Sequence, residues 1–216
     1  MMRKFLLWDH DGVLVDTERW YFAATKESLG RLDVQLDQPT YLRLMAKGHS
    51  CWDLAAQRGL SQSSISEARL ERDRRYQELL LKEKIEIEGV IEVLAELAAT
   101  YRMAIVTTSK RADFDLIHKS RTIRSFFEFV INIEDCSQAK PAPEPYLRAL
   151  ERFGAAPAEA LAIEDSSRGL TSAVSAGLDC AIIKSDFTAA QDFTGAWCVL
   201  DSVRALPAAL ERLRTR

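Results

Sequence analysis

Phe5-Leu6-Leu7-Trp8-Asp9-His10-Asp11-Gly12-Val13-Leu14-Val15-Asp16-Thr17 begins as an apolar run and breaks abruptly onto two aspartates one residue apart. Four consecutive apolar residues ended this way read as a strand buried on both faces. In extended backbone, residues i and i+2 point the same way, so Asp9 and Asp11 can address one small site. Gly12 permits a sharp turn and a close approach of a ligand to the backbone. Two carboxylates crowded together without a basic neighbour repel each other. They make sense together when a divalent cation sits between them, or when one keeps its proton. The alternative is a strand and turn whose aspartates merely satisfy turn amides.

Outward from this stretch, further strand-like runs lie at residues 103–106, 129–131, 161–163, 180–183 and 197–200. Between them, residues 90–100, 144–153 and 167–176 carry apolar side chains at helical spacing, with Gly154 and Gly177 placed as helix stops. Strands alternating with helices predict an α/β fold: a Rossmann-like, doubly wound parallel sheet covered on both faces. Ligands of such sheets sit at the carboxyl ends of the strands, near a switch in strand order. Residues 17–86 interrupt the alternation. They offer no convincing strand, only helical stretches at 18–29, 51–58 and 64–84. We read 17–86 as a small α-helical cap inserted after the first strand, over its catalytic end, and 1–16 with 87–216 as the catalytic core. The basic run from Arg69 to Arg75, interleaved with Glu71 and Asp73, reads as a solvated face.

The chain has 216 residues and a net charge of -3, with a pI of about 5.7. That balance gives no electrostatic case for nucleic acid or an anionic membrane as partner. Cys51, Cys136, Cys180 and Cys198 show no paired spacing and read as reduced thiols. The apolar run near the start is too short for a signal peptide, and no segment approaches a membrane span in length. The expectation is a cytoplasmic protein, monomer or homodimer.

Three more motifs each follow an apolar run. Thr107-Thr108-Ser109-Lys110 places three hydroxyls at a strand-to-helix junction, where they and helix-start amides suit phosphate oxygens or ordinary capping. Lys140 lies in Ala139-Lys140-Pro141-Ala142-Pro143-Glu144-Pro145, a stiff loop before a helix, where it could neutralise a phosphoryl group in flight. Glu164-Asp165-Ser166 ends a strand in two acids and a helix cap. A Mg²⁺ site of Asp9, the Asp11 carbonyl and Asp165, with Glu164 as a further or water-mediated ligand, is the reading this pattern supports. Asp9, first at the strand end, is the expected nucleophile toward phosphorus, and Asp11 the acid/base that protonates the leaving oxygen.

These four motifs, in this order and with a helical block after the first, resemble the haloacid dehalogenase-like superfamily of phosphatases and phosphomutases. The likeness extends over nearly the whole chain and is strongest to its phosphoglycolate phosphatase and β-phosphoglucomutase branch, through Asp-x-Asp-Gly-Val-Leu-x-Asp-Thr-Glu. The resemblance implies the same roles: nucleophile Asp9, acid/base Asp11, phosphate binding by Thr107 and Lys140, and metal binding by Glu164 and Asp165. Dehalogenases of the superfamily lack the second aspartate, so Asp11 argues against that chemistry.

The chain departs from the branch at several positions. His10 stands where the branch carries an apolar residue, and strand alternation turns its side chain away from Asp9 and Asp11. Glu88 replaces a proline before Gly89. In Ala46-Lys47-Gly48-His49-Ser50-Cys51, which resembles the mutase specificity loop, Cys51 stands where mutases carry the arginine that grips a second phosphate. Lys47, Gly48 and His49 are candidate cap selectors. The expected activity is Mg²⁺-dependent hydrolysis of a small phosphorylated metabolite, a sugar phosphate or phosphoglycolate-like compound, through an aspartyl-phosphate. The alternatives are a phosphomutase and a phosphate-binding protein without turnover.

Overall fold

The structure is a computed structural model describing residues 3–214. The chain forms two compact units, one of residues 1–16 with 86–216 and one of Thr17–Ile85.

In chain order the elements are β1 (Phe5–Trp8), α1 (Glu18–Gly30), α2 (Gln38–Ala46), α3 (Asp53–Gln57), α4 (Gln62–Lys82), α5 (Val90–Ala98), β2 (Arg102–Val106), α6 (Arg111–His118), β3 (Phe129–Ile131), α7 (Glu144–Phe153), β4 (Ala160–Glu164), α8 (Ser167–Ser175), β5 (Asp179–Ile183), β6 (Cys198–Leu200) and α9 (Leu206–Arg214). The strands make one six-stranded sheet in the order β3-β2-β1-β4-β5-β6, parallel throughout. Sheet and flanking helices form the expected α/β fold.

The apolar runs become strands because both sheet faces are covered. Phe5, Leu7, Ala104, Val106, Phe129, Ile131, Ala162 and Ile182 belong to one core cluster with Tyr146, Ala149, Leu150 and Phe153 of α7. The alternate residues Leu6, Trp8, Met103, Ile105, Leu161 and Ile163 are buried as well. Period-2 exposure therefore vanishes from the strands while helical period survives in α7, whose buried face runs Tyr146, Ala149, Leu150, Phe153. Pro145 in its first turn and Gly154 at its C-cap bound that helix. Glu88, beside Gly89, pairs with Arg204 at 3.0 Å.

The second unit is helical. α1 and α4 are tied by Arg31 to Glu71 at 2.9 Å and Arg75 to Glu27 at 2.9 Å, with Tyr21 edge-on to Tyr76. Helix α2 escapes the apolar pattern because Tyr41 is its only buried residue. Local chemistry starts it instead, with Asp37 accepting from the Thr40 amide at 2.8 Å and Pro39 in the first turn. Helix α3 is shorter than the expected 51–58. The Arg69–Arg75 run is not uniformly solvated. Arg72 is buried, its guanidinium 4.3 Å from the centre of the Tyr21 ring and hydrogen-bonded to Thr25 and Asp73. Charge interleaving marked this segment as a surface, but Arg72 shares the inward stripe of α4 with Ile65, Tyr76 and Leu79.

All four cysteines are unbridged. Among the described residues no helix is long and apolar enough to cross a membrane.

Candidate active site

β1 and β4 are neighbours at the point where the strand order reverses, and both carry acids at their carboxyl ends. Side connections leave a crevice at such a switch point, because the flanking crossovers depart to opposite sides. Asp9 follows β1, and its amide donates to the Ile163 carbonyl at 2.8 Å, fixing the loop against β4. Beyond it the chain turns tightly, with Gly12 N–H donating to the Val15 carbonyl at 2.8 Å. Gly12 has φ 82°, and a β-carbon there would lie 2.1 Å from Asp165 Oδ2. The position needs glycine both for its backbone conformation and for the closeness of Asp165.

Asp9, Glu164 and Asp165 are buried, and each offers a carboxylate oxygen within 4.8 Å of the others. Lys140 lies among them, 5% exposed, not on the surface where a lone lysine usually sits. Its Nζ donates to Asp9 Oδ1 at 2.8 Å, Glu164 Oε1 at 2.6 Å and the Val106 carbonyl at 2.7 Å. All three ammonium hydrogens are thus engaged. Tyr146 Oη donates to the same Glu164 oxygen at 2.7 Å, and Ser185 Oγ donates to Asp165 Oδ2 at 3.2 Å.

One lysine does not neutralise this many acids. Burial, then the charge of Glu164, pushes the Asp9 carboxyl up to about 7 against the pull of Lys140, with Asp11 adding to the rise. Burial alone would lower Lys140, but Asp9 and Glu164 outweigh it and hold the ammonium above its ordinary value. A dication among oxygen ligands would relieve the excess negative charge. The donor set, all oxygen, fits a hard ion of the Mg²⁺ type.

Asp11 is held apart from that trio, by the motif after β2. Ser109 Oγ and Thr107 Oγ1 both donate to Asp11 Oδ2, the latter at 3.4 Å, and the Ser109 amide donates to Thr107 Oγ1 at 3.0 Å. Thr108 is half-buried beside them. The helix-start amide of Arg111 is already taken by the Glu134 carboxylate at 3.1 Å, so α6 supplies fewer phosphate donors than its position promised. Lys47, Gly48 and His49 lie at the end of α2 in the helical unit, all exposed.

His10 corrects an expectation. Its side chain does not turn away: Nδ1 lies 3.2 Å from Asp11 Oδ2. β1 ends at Trp8, so strict alternation has no hold on the two residues that follow.

The motifs left out several supporting residues. Gly169 is one, since a β-carbon there would lie 1.9 Å from the Glu164 carboxylate. A glycine in the first turn of α8, where glycine weakens a helix, was the available signal. Tyr146 was legible as a buried tyrosine whose hydroxyl needs a partner. Ser185 follows β5, the strand beside β4, at its carboxyl end. His118 gave no local signal.

The profile of the haloacid dehalogenase-like hydrolases matches residues 6–183. Protein CbbY of Rhodobacter capsulatus is 32% identical, across 99% of this chain and 100% of its own length. Fructose-1-phosphate phosphatase YqaB of Escherichia coli is 26% identical, over 83% of this chain and 95% of its own. A variant of CbbY from Rhodobacter sphaeroides, crystallised with xylulose-(1,5)-bisphosphate, superposes with a TM-score of 0.80 at 26% identity, covering 94% of this chain and 95% of that one.

Proposed function

The chain belongs to the haloacid dehalogenase-like hydrolase family and is a phosphatase, and from that premise we propose that it hydrolyses a small phosphorylated metabolite, with Mg²⁺, through a phosphoryl group carried on Asp9. The observation that carries this reading is the buried trio Asp9, Glu164 and Asp165 with Lys140 bridging two of its members. Asp9, Asp165 and the Asp11 carbonyl would hold the ion, with Glu164 near them. The bound ion would draw charge from the phosphoryl oxygens and keep Asp9 ionised at neutral pH.

Lys140 grips Asp9 Oδ1 and so orients the carboxylate for attack on phosphorus through its other oxygen. The P–O bond to the leaving group breaks as Asp11 delivers a proton to that oxygen. Asp11 then takes a proton from water as the water attacks phosphorus, the bond to Asp9 breaks, and inorganic phosphate leaves. Thr107, Thr108 and Ser109 line the junction beside Asp11 and suit the remaining phosphoryl oxygens.

The relatives point to sugar phosphates as the substrate class, one named for fructose-1-phosphate and one crystallised with a ketose bisphosphate. We assign substrate selection to the helical unit, with the exposed Lys47 and His49 as its candidate residues. The deciding experiment is phosphate release from sugar phosphates and phosphoglycolate with Mg²⁺, run beside Asp9→Asn. The expected result is selective release that is lost in the variant and abolished by EDTA, with Lys47→Ala and His49→Ala raising KM more than they lower kcat. Isomerisation of a sugar phosphate without net release would replace this reading with a phosphomutase. Release undiminished in Asp9→Asn would refute it.

A further inference from the structure

His10 and His118 sit 108 positions apart in sequence with their Nε2 atoms 2.9 Å apart. His10 is fully buried, and both rings pack on Phe114, with centroids at 4.9 and 4.4 Å. Two N–H groups facing each other at that distance would clash, and two lone pairs would repel. One nitrogen therefore donates and the other accepts. His10 Nδ1 meets Asp11 Oδ2, an oxygen that already accepts from Ser109 and Thr107. The pairing is favourable when Nδ1 carries the hydrogen. His10 Nε2 is then the acceptor, and His118 Nε2 the donor.

The surroundings of His118 are consistent with that direction. His118 Nδ1 is buried without a hydrogen-bond partner. Donation from Nε2 leaves only a lone pair there, which is a more tolerable orphan than an N–H. Burial, and then the neighbouring His10, brings His118 down to about 3, so the ring is neutral and has one hydrogen to give.

We propose that His118 and His10 form a one-directional hydrogen-bond relay, His118 Nε2–H to His10 Nε2 and His10 Nδ1–H to Asp11 Oδ2, that orients the Asp11 carboxylate for proton transfer. His10 is a positioning residue, acting through Asp11. The proposal rests on the proton-carrier role given to Asp11 above, but the tautomers can be read without turnover. The relay fixes the Oδ2 edge of the carboxylate, on which His10, Ser109 and Thr107 converge. A ring wedged between Phe114 and His118 does this with little conformational freedom of its own.

Long-range ¹H–¹⁵N correlations on protein labelled at histidine nitrogens test the relay directly, with His118→Gln used for assignment. Expected are a hydrogen on Nδ1 and none on Nε2 of His10, and the reverse for His118. A bare Nδ1 on His10, or a hydrogen on Nδ1 of His118, would overturn it. The positioning role is read in kcat. His10→Phe should lower kcat about tenfold for an alkyl phosphate and less than about twofold for p-nitrophenyl phosphate, with KM unchanged. His10→Asn, whose amide N–H can stand in for Nδ1–H, should recover most of that loss. Equal losses on both esters, or no recovery in His10→Asn, would reduce His10 to a packing residue and overturn the role. If the native protein turns over neither ester, the proposed function falls and the tautomers alone decide the relay.

Discussion

The carboxylate of Glu164 occupies the space that a β-carbon on Gly169 would need, with Cδ and Oε2 both 1.9 Å from that position. The two residues are joined by the turn from β4 into α8, which Ser166 caps by accepting from the Gly169 amide at 3.1 Å. Glu164 can therefore lie flat against the first turn of the helix and still reach Lys140 and Tyr146. The absence of one side chain sets the direction of another.

Gly169→Ala should displace Glu164 and loosen Lys140. Alanine suits an ordinary helix better than glycine, so a gain in stability is the naive expectation. The overlap with a buried carboxylate reverses the sign, and we expect a loss of about 1–3 kcal/mol in urea unfolding with a fall in kcat. A stabilised, fully active variant would show that Glu164 can move without consequence.

Lys140→Met removes the cation but keeps most of the side-chain volume. Asp9 and Glu164 are left buried without their shared partner, which typically costs about 3–5 kcal/mol. Part of that cost should return on adding Mg²⁺, because a dication can take over the neutralisation. Lys140→Arg should not restore activity, since a planar fork cannot replace a compact ammonium with three donors in a closed site. Thermal unfolding with and without Mg²⁺, together with phosphate release, checks both statements.

The metal-free protein should become less stable as pH rises from about 4 to about 7, through the contribution of Asp9. Its carboxyl has an ordinary value of 3.8 and stands at about 7 in the fold. Between those values the folded chain holds a proton that the unfolded chain has released. Unfolding is then favoured by raising the pH, and the contribution is fully present only below the unfolded value. The difference in Tm between the native protein and Asp9→Asn, followed over this range in EDTA, isolates the effect. A flat difference would refute the raised carboxyl.

Asp11→Asn should separate substrates by leaving group. Protonation matters for an alkoxide and much less for p-nitrophenolate, so we expect a drop of about 10²–10⁴-fold on a sugar phosphate and a smaller one on p-nitrophenyl phosphate. Both rates are measured at saturating Mg²⁺. Equal drops would assign Asp11 to binding instead of proton transfer.

The strands of the sheet, the helices between β1 and β2, and the acids that end β1 and β4 are legible in the amino-acid order. Those features are written in local order: unbroken apolar runs where both strand faces are covered, helical spacing where one face is, and polar residues where a run stops. The motif after β2 and Lys140 were legible as residues but not as geometry. Which side chains meet depends on the folded chain. Lys140 is buried between Asp9 and Glu164, Arg72 turns inward under Tyr21, and His10 faces Asp11 because His118 and Phe114 close behind it. Such contacts join residues up to 131 positions apart. They follow from how crossovers return the chain to the sheet and from packing that leaves few orientations open, and neither is written in the spacing of neighbouring residues.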